Sequence, residues 1–313
     1  MLKRWLPALA ILALLAAAVA ALRRELKAFQ WHDIVAHGTA IPTGSLVVAA
    51  LLTLVSLLVL PCYDTLGLRY AGKKPPVRKV VFASMIAYGF SHVLGFPLLT
   101  GGSVHYRFWS SWGLTAGQVA KGVSFSAATM MVGTVFVTGV ACVLSPVEYP
   151  DAIGMPNWVF RTIGVVCLAA AAGYLYWSAT HRGQLTIRTL TIPLPSLRVA
   201  IVQLLVSSAD WIAGGAVLYA LLPQAHGMGF WGLIGAYTLA HSVGLVSHVP
   251  GGLGVFDAMM VLFWRPYFTA EAAIGTLVVY RAIYYIAPFI CAMGMLSASE
   301  IVGIATNVKK PPK

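Results

Sequence analysis

Seven long apolar runs dominate this chain, and each can cross the ~30 Å hydrocarbon layer of a bilayer as a helix of ~20 residues. They are Trp5 to Leu22, Leu46 to Asp64, Val119 to Leu144, Trp158 to Trp177, Ile201 to Leu222, Phe230 to Ser247 and Ala272 to Leu296. Their continuity points to helices, because membrane strands come as short alternating segments and hydrocarbon offers no partner to an open backbone. Only 10% of the residues are charged, too few to cover a water-soluble globule of this size, so lipid must cover the rest. The expected fold is an all-α integral membrane protein, a single transmembrane domain over residues 1–313.

Two further apolar stretches are broken. Val80 to Leu99 runs into Pro97 and the pair Gly101, Gly102, whereas Gly254 to Phe268 is short and follows Pro250, Gly251 and Gly252. Trp5 to Leu22 also imitates a secretory leader, with Lys3 and Arg4 before it and Ala18-Val19-Ala20 inside it. Its length and the Arg23, Arg24, Lys27 cluster after it favour a retained span.

Lys and Arg in short loops mark the cytoplasmic side. The clusters are Arg69, Lys73, Lys74, Arg78, Lys79, then Arg182, Arg188, Arg198, then Lys309, Lys310, Lys313; Ser145 to Asn157 carries only acids. These agree only if Val80 to Gly113 enters and leaves on the same side as a re-entrant element. The bundle then has about eight crossings, counting Gly254 to Phe268, with two broken or re-entrant elements and both termini cytoplasmic. Arg23, Arg24 and Lys27 then fall outside. The net charge of +12 belongs to the cytoplasmic rim, where anionic headgroups attract bases. Nucleic-acid binding is discounted, since the charges sit at helix ends and form no continuous patch.

Interrupted segments in corresponding places of two halves mark a transporter's binding site, because broken backbone must line a cavity. Ser91-His92-Val93 with Gly101 and Gly102 finds an echo in Ser247-His248-Val249 with Gly251 and Gly252. Both pieces offer close backbone approach to a ligand and, at half-helix N-termini, a seat for phosphate. Two loops dipping into the interface are the alternative. Ionisable residues inside spans are site candidates by default. Asp210, midway along its span, and Arg281, inside the last, can pair with each other, as a register lock or as substrate contacts. Asp64 ends the second span, and Arg107, whose planar fork suits a phosphodiester, follows the first glycine pair; either can instead be an interfacial anchor. Asp257 can cap the helix after the second glycine turn. His92, His241 and His248 lack metal spacing, the four cysteines read as core or lipid-facing residues, and neither a metal nor a cofactor is expected. No zinc-protease, nucleophile-elbow, Walker or Cys-x-x-Cys motif occurs.

Three ordered runs carry a resemblance. They are Leu98-Leu99-Thr100-Gly101-Gly102-Ser103-Val104-His105-Tyr106-Arg107-Phe108-Trp109-Ser110-Ser111-Trp112-Gly113-Leu114, His248-Val249-Pro250-Gly251-Gly252-Leu253-Gly254-Val255-Phe256-Asp257, and Tyr280-Arg281-Ala282-Ile283-Tyr284-Tyr285. Over nearly its whole length the chain resembles the transmembrane region of lysylphosphatidylglycerol synthases, typified by the multiple peptide resistance factor of bacteria. The resemblance implies a flippase of the bacterial inner membrane that moves aminoacylated phosphatidylglycerol outward and so supports resistance to antimicrobial peptides. It makes Asp64, of the Tyr63-Asp64 pair, and Arg107 the first candidates for headgroup contact. The chain stops at Lys313, so the family's soluble synthetase domain is not expected here. The exact lipid is therefore left open. A separately encoded synthetase or a second copy of the chain is the expected protein partner. A lipid-modifying membrane enzyme and an assembly partner for such a synthetase are the rival readings.

Overall fold

In a computed structural model the described residues are 40–94, 97–145, 156–181, 184–187, 190–193, 195–222, 227–246, 254–267 and 269–308. The expected first span therefore lies outside them, as do His248, Gly251 and Gly252. Helices α1 (Thr43–Tyr70), α2 (Val77–Leu94), α3 (Pro97–Ser111), α4 (Ala116–Leu144) and α5 (Asn157–Thr180) come first. A two-stranded antiparallel hairpin follows, β1 (Gln184–Ile187) with β2 (Leu190–Pro193), in the register Gln184 opposite Pro193. Helices α6 (Leu197–Ala220), α7 (Phe230–Val246), α8 (Val255–Trp264) and α9 (Ala270–Arg281) continue the chain. A π turn (Ala282–Ile286) joins α9 to α10 (Ala287–Val308) without a break in the helix.

Five helices are long and apolar enough to span a membrane: α1, α4, α5, α6 and the α9–α10 rod. Much of their surface is apolar and open. On α5, Trp158, Val165, Val166 and Tyr176 are all exposed, as expected of a face turned to acyl chains. Inward faces use small residues. A side-chain carbon on Gly67 of α1 would collide with the backbone oxygen of Gly122 on α4, and one on Gly133 of α4 would strike Ser207 of α6. Close backbone approach of this kind replaces the missing hydrophobic drive between helices in lipid. Thr115 caps α4 reciprocally with Gln118.

Helices α2 and α3 fold back on each other. A cluster of Leu68, Ala71, Val80, Trp109, Leu114 and Val119 gathers the end of α1, the start of α2, the end of α3 and the start of α4 in one place. The α2–α3 hairpin thus enters and leaves on one side, beside the basic loop of Arg69, Lys73, Lys74, Arg78 and Lys79, as the charge distribution requires. Helix α2 ends at Leu94 and α3 begins at Pro97, so Gly101 and Gly102 lie inside α3 and take no positive φ. This differs from the expected glycine turn. Proline tolerates a helix's first turn and supplies the break, while Gly101 lets α3 close on Ser91 of α2.

The second broken element differs from expectation more. The α7 segment reads as a crossing of its own, but α7 and α8 form a second hairpin. His241 and Phe256 meet at 4.4 Å between ring centroids near one end, and Gly227 approaches Tyr267 at the other. Gly229 also approaches Ser145 at the end of α4, which places the open end of this hairpin on the side opposite the basic loop. Periodicity could not reveal the reversal, because α7 is apolar all round, as a helix enclosed by its neighbours is. Span, hairpin, span (α1, α2–α3, α4) is followed, after α5, by span, hairpin, span (α6, α7–α8, α9–α10) with the opposite orientation.

Gly67→Val tests the close α1–α4 crossing. The added side chain meets the Gly122 backbone and the Ser126 hydroxyl, so a loss of ~1–3 kcal/mol is expected, seen as a lower thermal midpoint in detergent; an unchanged midpoint would argue against the crossing.

Candidate functional site

The end of α2 and the start of α8 converge on the π turn and the residue before it. His92, near the tip of α2–α3, lies 5.8 Å from the ring of Tyr284, nearly parallel to it, and 5.7 Å from that of Tyr285. Asp257, at the start of α8, takes a fork from Arg281 immediately before the turn: Nε donates to Oδ1 at 3.0 Å and an Nη to Oδ2 at 2.7 Å. Arg281 lies 11 residues past the start of α9, roughly 17 Å along the axis and so well inside the bilayer. Extra residues in a π turn widen the helix locally and often mark functional places.

Asp257 does two things. Its Oδ2 also accepts from the backbone N–H of Gly254, whose φ of 75° suits only glycine without strain. The carboxylate therefore caps α8 and binds Arg281, whose guanidinium sits over Tyr285 at 5.6 Å. Arg281 does not take Asp210 as its partner; its fork is bound to Asp257, 24 residues before it.

Asp64 is sealed. It has no exposed surface, and its oxygens meet Ser84 and Tyr88 of α2 and His105 Nε2 of α3, the last at 2.7 Å. Three donors from two helices leave no face for a ligand, so this acid clasps the hairpin to α1. His105 in turn packs on Trp109, which is fully buried.

Asp210 is treated differently. Ser56 Oγ donates to one oxygen at 2.7 Å and Tyr63 OH to the other at 3.1 Å, both from α1. Ser56 has one hydrogen, and it points to Asp210, so Tyr284 OH, 2.8 Å away, must donate to Ser56. Residues 56 and 63 are seven apart and share a face of α1, while Asp64, about 100° round, faces the hairpin. One turn beyond Asp210, Gly214 leaves room for the hydroxyls of Tyr237 and Tyr284. Tyr237 OH and Tyr280 OH are 3.0 Å apart. Among the described residues, Asp210 meets hydroxyls and no cation, and it is half-buried.

Arg107 lies four residues from the end of α3, near the basic side rather than at the tip, with its guanidinium 5.8 Å from the ring of Phe108. Gly102 has open space beside it. No group of three metal-ligating side chains occurs among the described residues.

Residues 5–292 match the family described as the lysylphosphatidylglycerol synthase transmembrane region. The chain belongs to that family. It is similar to an uncharacterised protein of Synechocystis, 31% identical over 91% of this chain and 88% of the relative. It is also similar to the inner membrane protein YbhN of Escherichia coli, 31% identical over 77% and 76% respectively. Phosphatidylglycerol lysyltransferase of Staphylococcus aureus matches at 25% over 93% of this chain, which spans only 33% of that enzyme. The family relation and the long apolar helices make this a multi-pass membrane protein.

Sequence reasoning placed Asp210 and Arg281 inside spans, Asp64 at the end of one and Asp257 as a helix cap, but missed the partners Ser56, Tyr63, Ser84, Tyr88 and His105 and the Asp257–Arg281 pair. Ser56 carried a signal in its seven-residue spacing from Tyr63, and His105 in lying within the same glycine-led run as Arg107. The π turn carried none. A double-mutant cycle tests the Asp257–Arg281 pair: Arg281→Leu alone strands a half-buried carboxylate and should cost ~3–5 kcal/mol in unfolding, while adding Asp257→Asn should recover part of it. Additive losses would show that the two side chains do not interact.

Proposed function

We propose that this protein translocates phospholipid between the leaflets of the bacterial inner membrane, with a headgroup carrying both phosphate and ammonium as its substrate. The observation that carries this reading is Asp210, a mid-span carboxylate whose partners are neutral hydroxyls, beside the place where two opposed hairpins end. A fixed charge at that depth costs several kcal/mol unless it is met by a partner or by water. Asp64 and Asp257 already have nitrogen partners from the protein, which leaves Asp210 as the acid suited to a lipid ammonium.

The remaining parts fit a path for the headgroup. By the distribution of lysines and arginines, the basic side is cytoplasmic, with the chain's ends on that side. Arg107, close to that surface, is placed to take the phosphate as the lipid leaves the inner leaflet, its planar fork accepting two oxygens. Opposed hairpins reaching the middle from either side let access alternate by rocking one span-hairpin-span unit against the other. Gly102, with free space beside it, and Gly251, Gly252 and His248, which lie outside the described residues, are candidate lining of this path. Lysylphosphatidylglycerol is the leading substrate on the strength of the family and its lysyltransferase relative. The lipid-modifying and assembly readings gain no support from a specific feature of the site.

Reconstitution into vesicles containing labelled phosphatidylglycerol or its lysyl ester tests the proposal. The expected result is faster leaflet exchange of the lysyl ester than in empty vesicles, reduced about tenfold in Arg107→Ala or Asp210→Asn through loss of one charge-assisted contact. Exchange no faster than in empty vesicles would refute translocation.

A further inference from the structure

The environment of Asp210 says more than that it suits an ammonium. From α1 it is faced by Tyr63 and by the hydroxyl of Ser56. Tyr88 on α2, Tyr237 on α7 and Tyr284 in the π turn complete the titratable groups within electrostatic reach of it. The neighbouring Trp211 spends its N–H on the backbone oxygen of Met130, and His241 packs on the rings of Trp211 and Phe256. Of the interior's other nitrogen bases, Arg281 is held on Asp257, His105 on Asp64, and His92 stacks on the ring of Tyr284. Among the described residues, the titratable groups hydrogen-bonded to or in electrostatic reach of Asp210 are thus phenols, neutral at physiological pH, with the imidazoles of His241 and His92 one ring further out on Trp211 and Tyr284.

A carboxylate in that setting has to be neutralised in every state in which the bilayer surrounds it, including the state in which no lipid is bound. The empty carrier must make the return movement. With lipid bound, the ammonium supplies the positive charge; without it, the smallest available cation that fits between Ser56 and Tyr63 is a proton. A protonated carboxyl remains hydrogen-bonded there, because a hydroxyl can turn from donating to accepting. The Tyr284–Ser56–Asp210 chain and the Tyr237–Tyr280 pair beside it set hydroxyls in a row, through which such a proton can reach the acid as each O–H rotates.

We infer that Asp210 binds a proton and a lipid ammonium in alternation, so that one lipid moves outward for each proton that moves inward. This rests on the translocation reading above. On the cytoplasmic side the Asp210 carboxyl gives its proton to water and the freed carboxylate binds the ammonium. On the outer side the ammonium leaves and the carboxylate takes a proton from water. One positive charge occupies the site on each passage, and nothing is oxidised or reduced. The outward pull on the lipid then comes from the proton gradient.

Vesicles holding the full chain and a labelled lysyl ester of phosphatidylglycerol test this, with the membrane potential clamped at zero by potassium and valinomycin. With protein of one orientation, a gradient of one pH unit, acidic on the side of the outer leaflet, should drive the labelled lipid to an about tenfold excess in that leaflet, since each tenfold in proton activity is matched by tenfold in lipid at one-for-one exchange. A protonophore should collapse the excess, and Asp210→Asn should show none. Purified wild-type protein in weak buffer should also release protons, seen by a pH dye, when the lysyl ester is added, a readout that needs no variant. Transport that equalises the leaflets whatever the gradient, an excess that survives in Asp210→Asn, or binding without proton release would each overturn proton exchange while leaving translocation standing. Absence of any transport in the wild type would instead remove the translocation reading, and proton exchange with it.

Discussion

Every open backbone group inside a bilayer must find a partner within the protein, and the rest of this structure follows from where the chain breaks that rule's simplest solution. Two hairpins interrupt the helices at membrane depth, one from each side. Spans pack around the helices of both hairpins: α1, α4 and α10 around the first, and α4, α6 and α9 around the second. Both tips end against the same stretch of the last rod, where the π turn and the tyrosines of Tyr280 to Tyr285 lie. The ends of α2 and α8 thereby meet in the interior, and the enclosing spans keep apolar faces outward.

Charge is sorted by the same constraint. Asp64 is closed off by Ser84, Tyr88 and His105 and holds the first hairpin to α1. Asp257 caps α8 and grips Arg281, holding the second hairpin to the last rod. Each hairpin is thus pinned by an acid–base contact to a neighbouring span, and removing one partner of such a contact costs more than the contact itself contributes. Asp210 pins nothing of that kind. Hydroxyls from α1 hold its oxygens, so it stands at the junction of α1 and α6, the corresponding spans of the two opposed units, with its charge unmatched by a base among the described residues.

Several of these features were legible from residues alone. The need for a re-entrant element followed from Lys and Arg on loops whose sides disagreed unless Val80 to Gly113 turned back, and α2–α3 does so. Of the Ser-His-Val echo, Ser91-His92-Val93 lies near the end of α2, while its counterpart lies outside the described residues. Other features were hidden. Gly101 and Gly102 look like a turn, yet Pro97 supplies the break and Gly101 serves helix contact, because a glycine's local freedom does not say whether a neighbour needs its missing side chain. The short β1–β2 hairpin went unseen, since four-residue strands leave too little pattern to separate from a loop. Arg281 had two acids to choose from, and only the folding back of α7 and α8 brings Asp257 to it.

The amino-acid sequence by itself determined that this protein lives in a membrane, that its spans are helical, that two segments are broken, and that a few charges lie deep. These are properties of single segments: length, apolarity, proline position and the cost of a buried charge are local quantities. Only the tertiary structure decided that Arg281 pairs with Asp257, that α7 returns with α8 to its own side, and that Asp210 faces hydroxyls where Asp64 and Asp257 face nitrogen bases. Such pairings depend on which faces of distant helices are pressed together, and packing between helices is set by small residues and shape complementarity that no one segment contains.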